Sequence, residues 1–273
     1  MSYKSIVLNL DIDGVVAPVI KLAVDLAQRF DARLIGLSAA EVPPPVVMEG
    51  GMEFEGESIA RQRKNIERRI EKLRAEFESL AGATVVIDWR GAVGNPTRLL
   101  IGASRVADLI VTASPEGAPP RNVHRSMDIG NLILQAGRPV LVAATNQENF
   151  RINKVVVGWK DTREAKRALT DAMPFLQLAQ EVRVVTIDND ATDETWNSLD
   201  DVVASLSFHG VKAKAEVFPE KSDGRTIADV AEAMHANLVI SGAYGHSRFR
   251  EWIFGGATRS LLQNDRLNRI MSN

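Results

Sequence analysis

Short unbroken apolar runs alternate along this chain with longer stretches whose apolar residues recur at spacings of three and four. The first kind reads as strands buried on both faces, the second as amphipathic helices. Residues 4–11 (KSIVLNLD) predict a strand ending at an aspartate, followed by a helix over Val15–Phe30 with Val19, Leu22, Ala23, Leu26 and Phe30 on one face. A second strand spans 32–39. The loop after it contains Pro43-Pro44-Pro45, which cannot continue regular structure. Ile59, Ile66, Ile70, Leu73, Phe77 and Leu80 then mark a long helix over Ser58–Leu80 with a charged outer face. Strands over 84–89, 107–112 and 139–143 and helices over 95–106, with Pro96 near its first turn, and 128–135 complete the first half.

The second half repeats the order. Strands are predicted at 154–159, 182–187, 211–218, 236–241 and 267–271, and helices at 163–178, 194–208 and 225–235. Trp196, Leu199, Val203 and Leu206 make the inner face of the second helix, and Asp223 is placed to cap the third. Lys4–Asp11 aligns with Asn153–Lys160, and Ala107–Ala113 (ADLIVTA) with Ala236–Gly242 (ANLVISG), each in constant register. Strands alternating with helices imply a mostly parallel sheet covered on both faces. The fold class is therefore α/β: two tandem doubly wound domains, each a five-stranded mostly parallel sheet with helices on both faces. The domains are 1–146 and 153–273, with a single large domain as the alternative. Ligands in such sheets bind at the carboxyl ends of the strands, near a switch in strand order.

Composition narrows the function classes. Over 273 residues, 45% are hydrophobic and 25% charged, a globular balance, and the net charge of −2 gives no drive toward nucleic acid. No cysteine is present, which excludes disulfides and thiolate chemistry and suits the cytoplasm. Neither a signal peptide nor a membrane span is expected, because Asp11 and Asp13 interrupt the N-terminal apolar pattern and no long apolar run exists.

The candidate chemistry lies in Ser241–Thr258 (SGAYGHSRFREWIFGGAT), a strand end, a glycine-bearing loop and a glycine pair opening a helix. Gly242 and Gly245 let the backbone approach a ligand closely, and free amides at a helix start hold phosphate. The other reading of these glycines is tight turns and close helix–sheet packing. Arg248 and Arg250 could reach phosphates or simply be solvated. His246 reads as a loop histidine and Trp159 as packing, against the sharper readings of catalytic base and stacking platform.

Gly242, two residues, Gly245, nine residues, Gly255 resembles the G-2x-G-9x-G-[Ser/Thr] motif of the universal stress protein family. Residues 158–169 (GWKDTREAKRAL) resemble its first strand-to-helix turn and 137–143 (GRPVLVA) its closing strand. The resemblance covers nearly the whole chain as two such domains. It implies a stress-response module, with adenine nucleotide (ATP, and Mg2+ only with it) bound in the second half. The residues implied are Trp159, Lys160, Ile187, Gly242, Gly245, His246, Gly255, Gly256, Ala257 and Thr258. It also implies an internal pseudo-dimer of the two halves and possible homodimerisation. The chain departs from the motif at Gly256, where a hydroxyl is expected; Thr258 stands two residues on. At Lys160 the family's binders carry an acid, as the first half does at Asp11. In the first half Ala113, Glu116 and Ser126-Met127 replace the glycines, so its motif is degenerate and its phosphate cradle lost.

The chain has neither G-x-G-x-x-G after a first strand nor G-x-x-x-x-G-K-[ST], and its four histidines show no metal-ligand spacing. No catalytic apparatus is expected beyond a weak ATPase. Two functions remain: a nucleotide-binding stress-response module, or an interaction protein of the same fold that binds no nucleotide.

Overall fold

The computed structural model describes residues 2–43, 55–114, 122, 124–145, 150–219, 226–244, 261–262 and 264–273. Its backbone separates into two compact units, 3–136 and 137–273 with residues 1–2. The first unit runs β1 (Ser5–Asn9), α1 (Ala17–Phe30), β2 (Arg33–Ala40), α2 (Glu55–Ala81), β3 (Ile87–Val93), α3 (Pro96–Ala103), β4 (Leu109–Ala113) and α4 (Ile129–Ala136). A 3-10 turn at Ser104–Val106 extends α3. The strands are parallel in the order β3-β2-β1-β4. Ile6, Val7 and Leu8 of β1 and Leu109, Ile110 and Val111 of β4 are all fully buried. Strands with no wet face require helices on both sides of the sheet. Helical crossovers supply them: α1 and α2 pack together, and α3 packs with α4.

The second unit comprises β5 (Val140–Ala143), β6 (Lys154–Gly158), α5 (Arg163–Asp171), α6 (Met173–Leu176), β7 (Glu181–Ile187), α7 (Asp193–Phe208), β8 (Ala213–Phe218), α8 (Ile227–Ala233), β9 (Leu238–Gly242) and β10 (Asn268–Ser272). Its order is β8-β7-β6-β9-β10-β5, with all pairs parallel except β10–β5. The order β8-β7-β6-β9 matches β3-β2-β1-β4, and β6 and β9 stand in the registers that the sequence alignment of the halves predicts. Each half of the sequence contributes five strands, and β5, the last of the first half, is paired with β10, the last of the second. On β10, Arg269 is wholly buried, its Nη1 donating to the Leu267 carbonyl at 2.6 Å. Burial pulls its guanidinium down to about 10, so it remains charged at neutral pH.

Several elements differ in detail from the sequence expectation. The expected helix over 163–178 is two, since Pro174 has no amide to donate. Leu199, Val202 and Leu206 form the buried face of α7, whereas Trp196 is 43% exposed and Val203 only half-buried. The inner stripe is rotated by about one position. Thr226, not Asp223, caps α8: its hydroxyl accepts from the Asp229 amide while Asp229 accepts from the Thr226 amide at 2.7 Å. Asp223 lies outside the described residues. Strand β3 runs to Val93 rather than ending at Trp89, because β2 offers it partners as far as Ala40.

One face of β3 is closed by α2. Phe77, fully buried, meets Trp89 at a ring separation of 5.7 Å. A Cβ added at Gly91 would lie 2.4 Å from Ile70 Cγ2, so only glycine lets α2 sit this close. Phe77→Ala is expected to cost the first unit about 3 to 5 kcal/mol, read as an earlier transition in urea unfolding; a change under about 1 kcal/mol would contradict this packing.

Candidate functional site

In the second unit the carboxyl ends of β6 and β9 lie side by side, since the two strands pair in parallel from Val155–Leu238 to Gly158–Ser241. Trp159 and Lys160 leave β6 at that end, Ile187 closes β7, and Gly242 closes β9. Of the ten residues predicted for the site, these four are described. Gly245, His246, Gly255, Gly256, Ala257 and Thr258 lie outside the described residues, as do Arg248 and Arg250.

Each described residue has a local explanation. Trp159 is 7% exposed, and its indole Nε1 donates to Ser198 Oγ on α7 at 3.0 Å. Its backbone is held twice by β7: the amide donates to the Val185 carbonyl at 2.8 Å, and its carbonyl accepts from Thr186 Oγ1 at 2.9 Å. The ring is thus a packing element between β6 and α7. Ser198 and Thr186, which fix it, were not among the predicted residues, and no motif marks them. Lys160 is exposed, and its ammonium makes no ion pair with a described residue, while the neighbouring Asp161 pairs with Lys166 at 2.5 Å. The Lys160 carbonyl accepts from the Thr162 amide at 2.6 Å, which turns the chain into α5, and Thr162 Oγ1 caps that helix through the Ala165 amide.

Gly242 is the most constrained of the four. A Cβ there would fall 2.6 Å from both the Ala165 nitrogen and the Glu164 carbonyl carbon, so the first turn of α5 rests directly on the end of β9. This is the close-packing reading of the glycine, and backbone, not ligand, fills the space. Beyond it the Ala243 amide donates to the Ser272 carbonyl at 2.8 Å, and Tyr244 takes a left-handed conformation (φ 61°).

The corresponding end of the first unit encloses a cavity of about 310 Å³ between β1 and β4. Asn9 Nδ2 donates to Thr112 Oγ1 at 3.0 Å across its floor, both groups being buried. Val15, Val16 and Val19 form an apolar wall, and Asp11 and Asp13 face them. Asp11 Oδ1 accepts the Asp13 amide at 2.9 Å, a turn made by its own side chain. Asp13 takes both arms of the Arg125 guanidinium, each at 2.6 Å. Those hydrogen bonds above all, helped by the charges of Arg125 and Arg69, hold the Asp13 carboxyl below its usual range against the opposing effect of burial. The Arg125 charge is therefore already balanced, and two carboxylates line the space. Glu116 lies outside the described residues.

Two outcomes follow from this geometry. Gly242→Ala should cost about 1 to 3 kcal/mol, because helix backbone must move, and unchanged denaturant stability would contradict the close approach. Asp13 has a depressed carboxyl pKa, so its contribution is present above the ordinary carboxylate range and is lost as pH falls through the lowered folded value. Asp13→Asn should therefore lower stability at pH 7 by up to about 1 kcal/mol, with the difference vanishing once pH falls below the lowered carboxyl value. A deficit that persists there would assign the loss to something other than the ion pair.

No family model matches the sequence, and none of the curated proteins matches it. Solved structures do. A universal stress protein from Archaeoglobus fulgidus DSM 4304 superposes with a TM-score of 0.72 at 12% identity, over 98% of this chain and 96% of its own. A putative universal stress protein from Pseudomonas aeruginosa UCBPP-PA14 gives 0.61 at 13% identity, over 99% and 93%. A protein of unknown function from Pseudomonas aeruginosa PAO1 gives 0.60 at 13% identity, over 99% and 92%. At such identities the likeness is one of fold, and over nearly its whole length this chain has the α/β fold of a universal stress protein.

Proposed function

We propose that the protein is a cytoplasmic stress-response module of the universal stress protein type that binds an adenine nucleotide, ATP, in its second half. The observation that carries this reading is the adjacency of the β6 and β9 ends, which sets Lys160 beside the start of the Gly242-x-x-Gly245 loop. That is where parallel sheets of this order bind ligands, and an exposed ammonium with no ion-pair partner among the described residues suits a phosphate there. Trp159, Ile187 and Gly242 build the base of the site by packing. Gly245, His246, Gly255, Gly256, Ala257 and Thr258 complete it on the strength of their spacing. Magnesium arrives only with the nucleotide, hydrolysis is weak at most, and the bound form favours one conformation or assembly state. The two tandem domains, 1–146 and 153–273, act as an internal pseudo-dimer that can pair further as a homodimer.

A second reading has its own support. Gly242 and Trp159 are accounted for by packing alone, and Gly256 lacks the hydroxyl a phosphate would use. On that reading the same fold serves protein interaction without nucleotide.

Titration calorimetry with ATP and magnesium on the wild type and Gly245→Glu separates the two. A carboxylate placed at the phosphate should weaken binding at least about a hundredfold with thermal unfolding unchanged. Equal binding by both proteins would place the nucleotide elsewhere, and no heat with either would favour the interaction reading.

A further inference from the structure

The outer strand of the first unit's sheet, β3, carries depressions on both of its faces. Leu37 pairs with Arg90 and Ala39 with Ala92, so these four side chains share the face flanked by α3. There they line a groove of about 660 Å³ whose far wall is Arg98, Leu99, Gly102 and Arg105. Three arginines thus meet one lining carboxylate, Glu41, which is already engaged by His124 Nδ1 at 3.2 Å. All three guanidinium side chains are exposed, and none forms an ion pair with a described residue. Asp88, two residues before Arg90 on the same face, accepts its neighbour's amide and does not line the groove.

The opposite face of the same edge has a second, shallower depression. Gly91 lies on it directly against Ile70, with Lys64, Arg68 and Lys72 of α2 along the depression and Glu67 and Glu71 among them. Arg90, Gly91 and Ala92 are exposed. As the terminal strand of this unit's sheet, β3 presents one row of backbone amides and carbonyls without a strand partner among the described residues. Charge on an edge strand guards against pairing. That purpose explains Arg90 but not Arg98, on α3, and Arg105, on the 3-10 turn that follows it, which line the same groove.

We propose that this edge receives an extended acidic segment of a partner protein, added to β3 as a further strand. Backbone hydrogen bonds along β3 supply the affinity, and alternate side chains of the segment point to the two faces. Carboxylates on one face meet Arg90, Arg98 and Arg105. Small apolar side chains on the other lie outside Ile70, in the depression between β3 and α2. Three guanidiniums with no ion-pair partner among the described residues also favour encounter with an acidic partner.

The test is fluorescence anisotropy of the full chain with a labelled peptide of alternating glutamate and valine, seven residues long. Saturable binding is expected, weakened at least about tenfold when salt rises from about 50 to about 300 mM. The Arg90→Glu/Arg98→Glu/Arg105→Glu variant should weaken it at least about tenfold more, with its unfolding transition checked first. Should that variant not fold, Arg98→Gln/Arg105→Gln on exposed helix positions should still weaken binding several-fold. A peptide methylated at alternate backbone nitrogens should not bind. The proposal is overturned if the peptide fails to saturate, if the arginine variants bind it as the wild type does, or if methylation changes nothing. It is equally overturned if inorganic tripolyphosphate binds in an arginine-dependent way while the peptide does not, which would make the groove a small-anion site.

Discussion

The central strands of each unit have no face in contact with water, and the rest of the architecture depends on that constraint. Val7 and Val111 in the first unit, like Val156 and Val239 in the second, are essentially wholly buried. A strand in this position must be covered on both sides, which demands helical crossovers in place of hairpins. Crossovers that run first one way and then the other along the sheet produce the order β3-β2-β1-β4 and its repeat β8-β7-β6-β9. Where the direction reverses, between β1 and β4 or β6 and β9, the connections leave the two strands toward opposite edges of the sheet. The candidate sites follow from that reversal.

The two ends are built differently from the same plan. In the second unit the first turn of α5 rests on Gly242, and Trp159 is clamped between β7 and α7, so the base of the site is rigid. In the first, Ala113 stands where the second has Gly242, and the space between β1 and β4 is lined by Asp11 and Asp13. The pairing of Asp13 with Arg125 leaves that cavity without a free cation from this arginine. An anion is better served where Lys160 stands exposed. The glycine that opens the second-unit motif has a structural duty that would persist with or without a ligand. The nucleotide reading therefore rests on Lys160 and the later glycines more than on Gly242.

Much of this was legible in the residues. Unbroken apolar runs marked β1, β4, β6 and β9, and the constant registers between the halves anticipated that these strands correspond. The α1 stripe of Val19, Leu22, Ala23, Leu26 and Phe30 is buried as its spacing predicts. Interactions that join distant parts of the chain left no trace in local pattern. The Asp13–Arg125 pair spans 112 residues, and the atoms that make Gly242 obligatory belong to Glu164 and Ala165. Local pattern also offers competing signals. Thr226 and Asp229 form a reciprocal cap that the Thr-x-x-Asp spacing announces, three residues after Asp223, an equally acceptable cap by residue type. In α7, Trp196 fits the helical spacing of the inner stripe yet is 43% exposed, because the buried stripe runs through Leu199, Val202 and Leu206.

The central claim is that the second half holds one adenine nucleotide. The most direct measurement is to denature freshly purified protein and identify any released nucleotide by mass, with its stoichiometry. The account predicts about one adenine nucleotide per chain, retained when Asp11 is replaced and lost in Gly245→Glu. None released, with no heat on titrating ATP and magnesium, would contradict it.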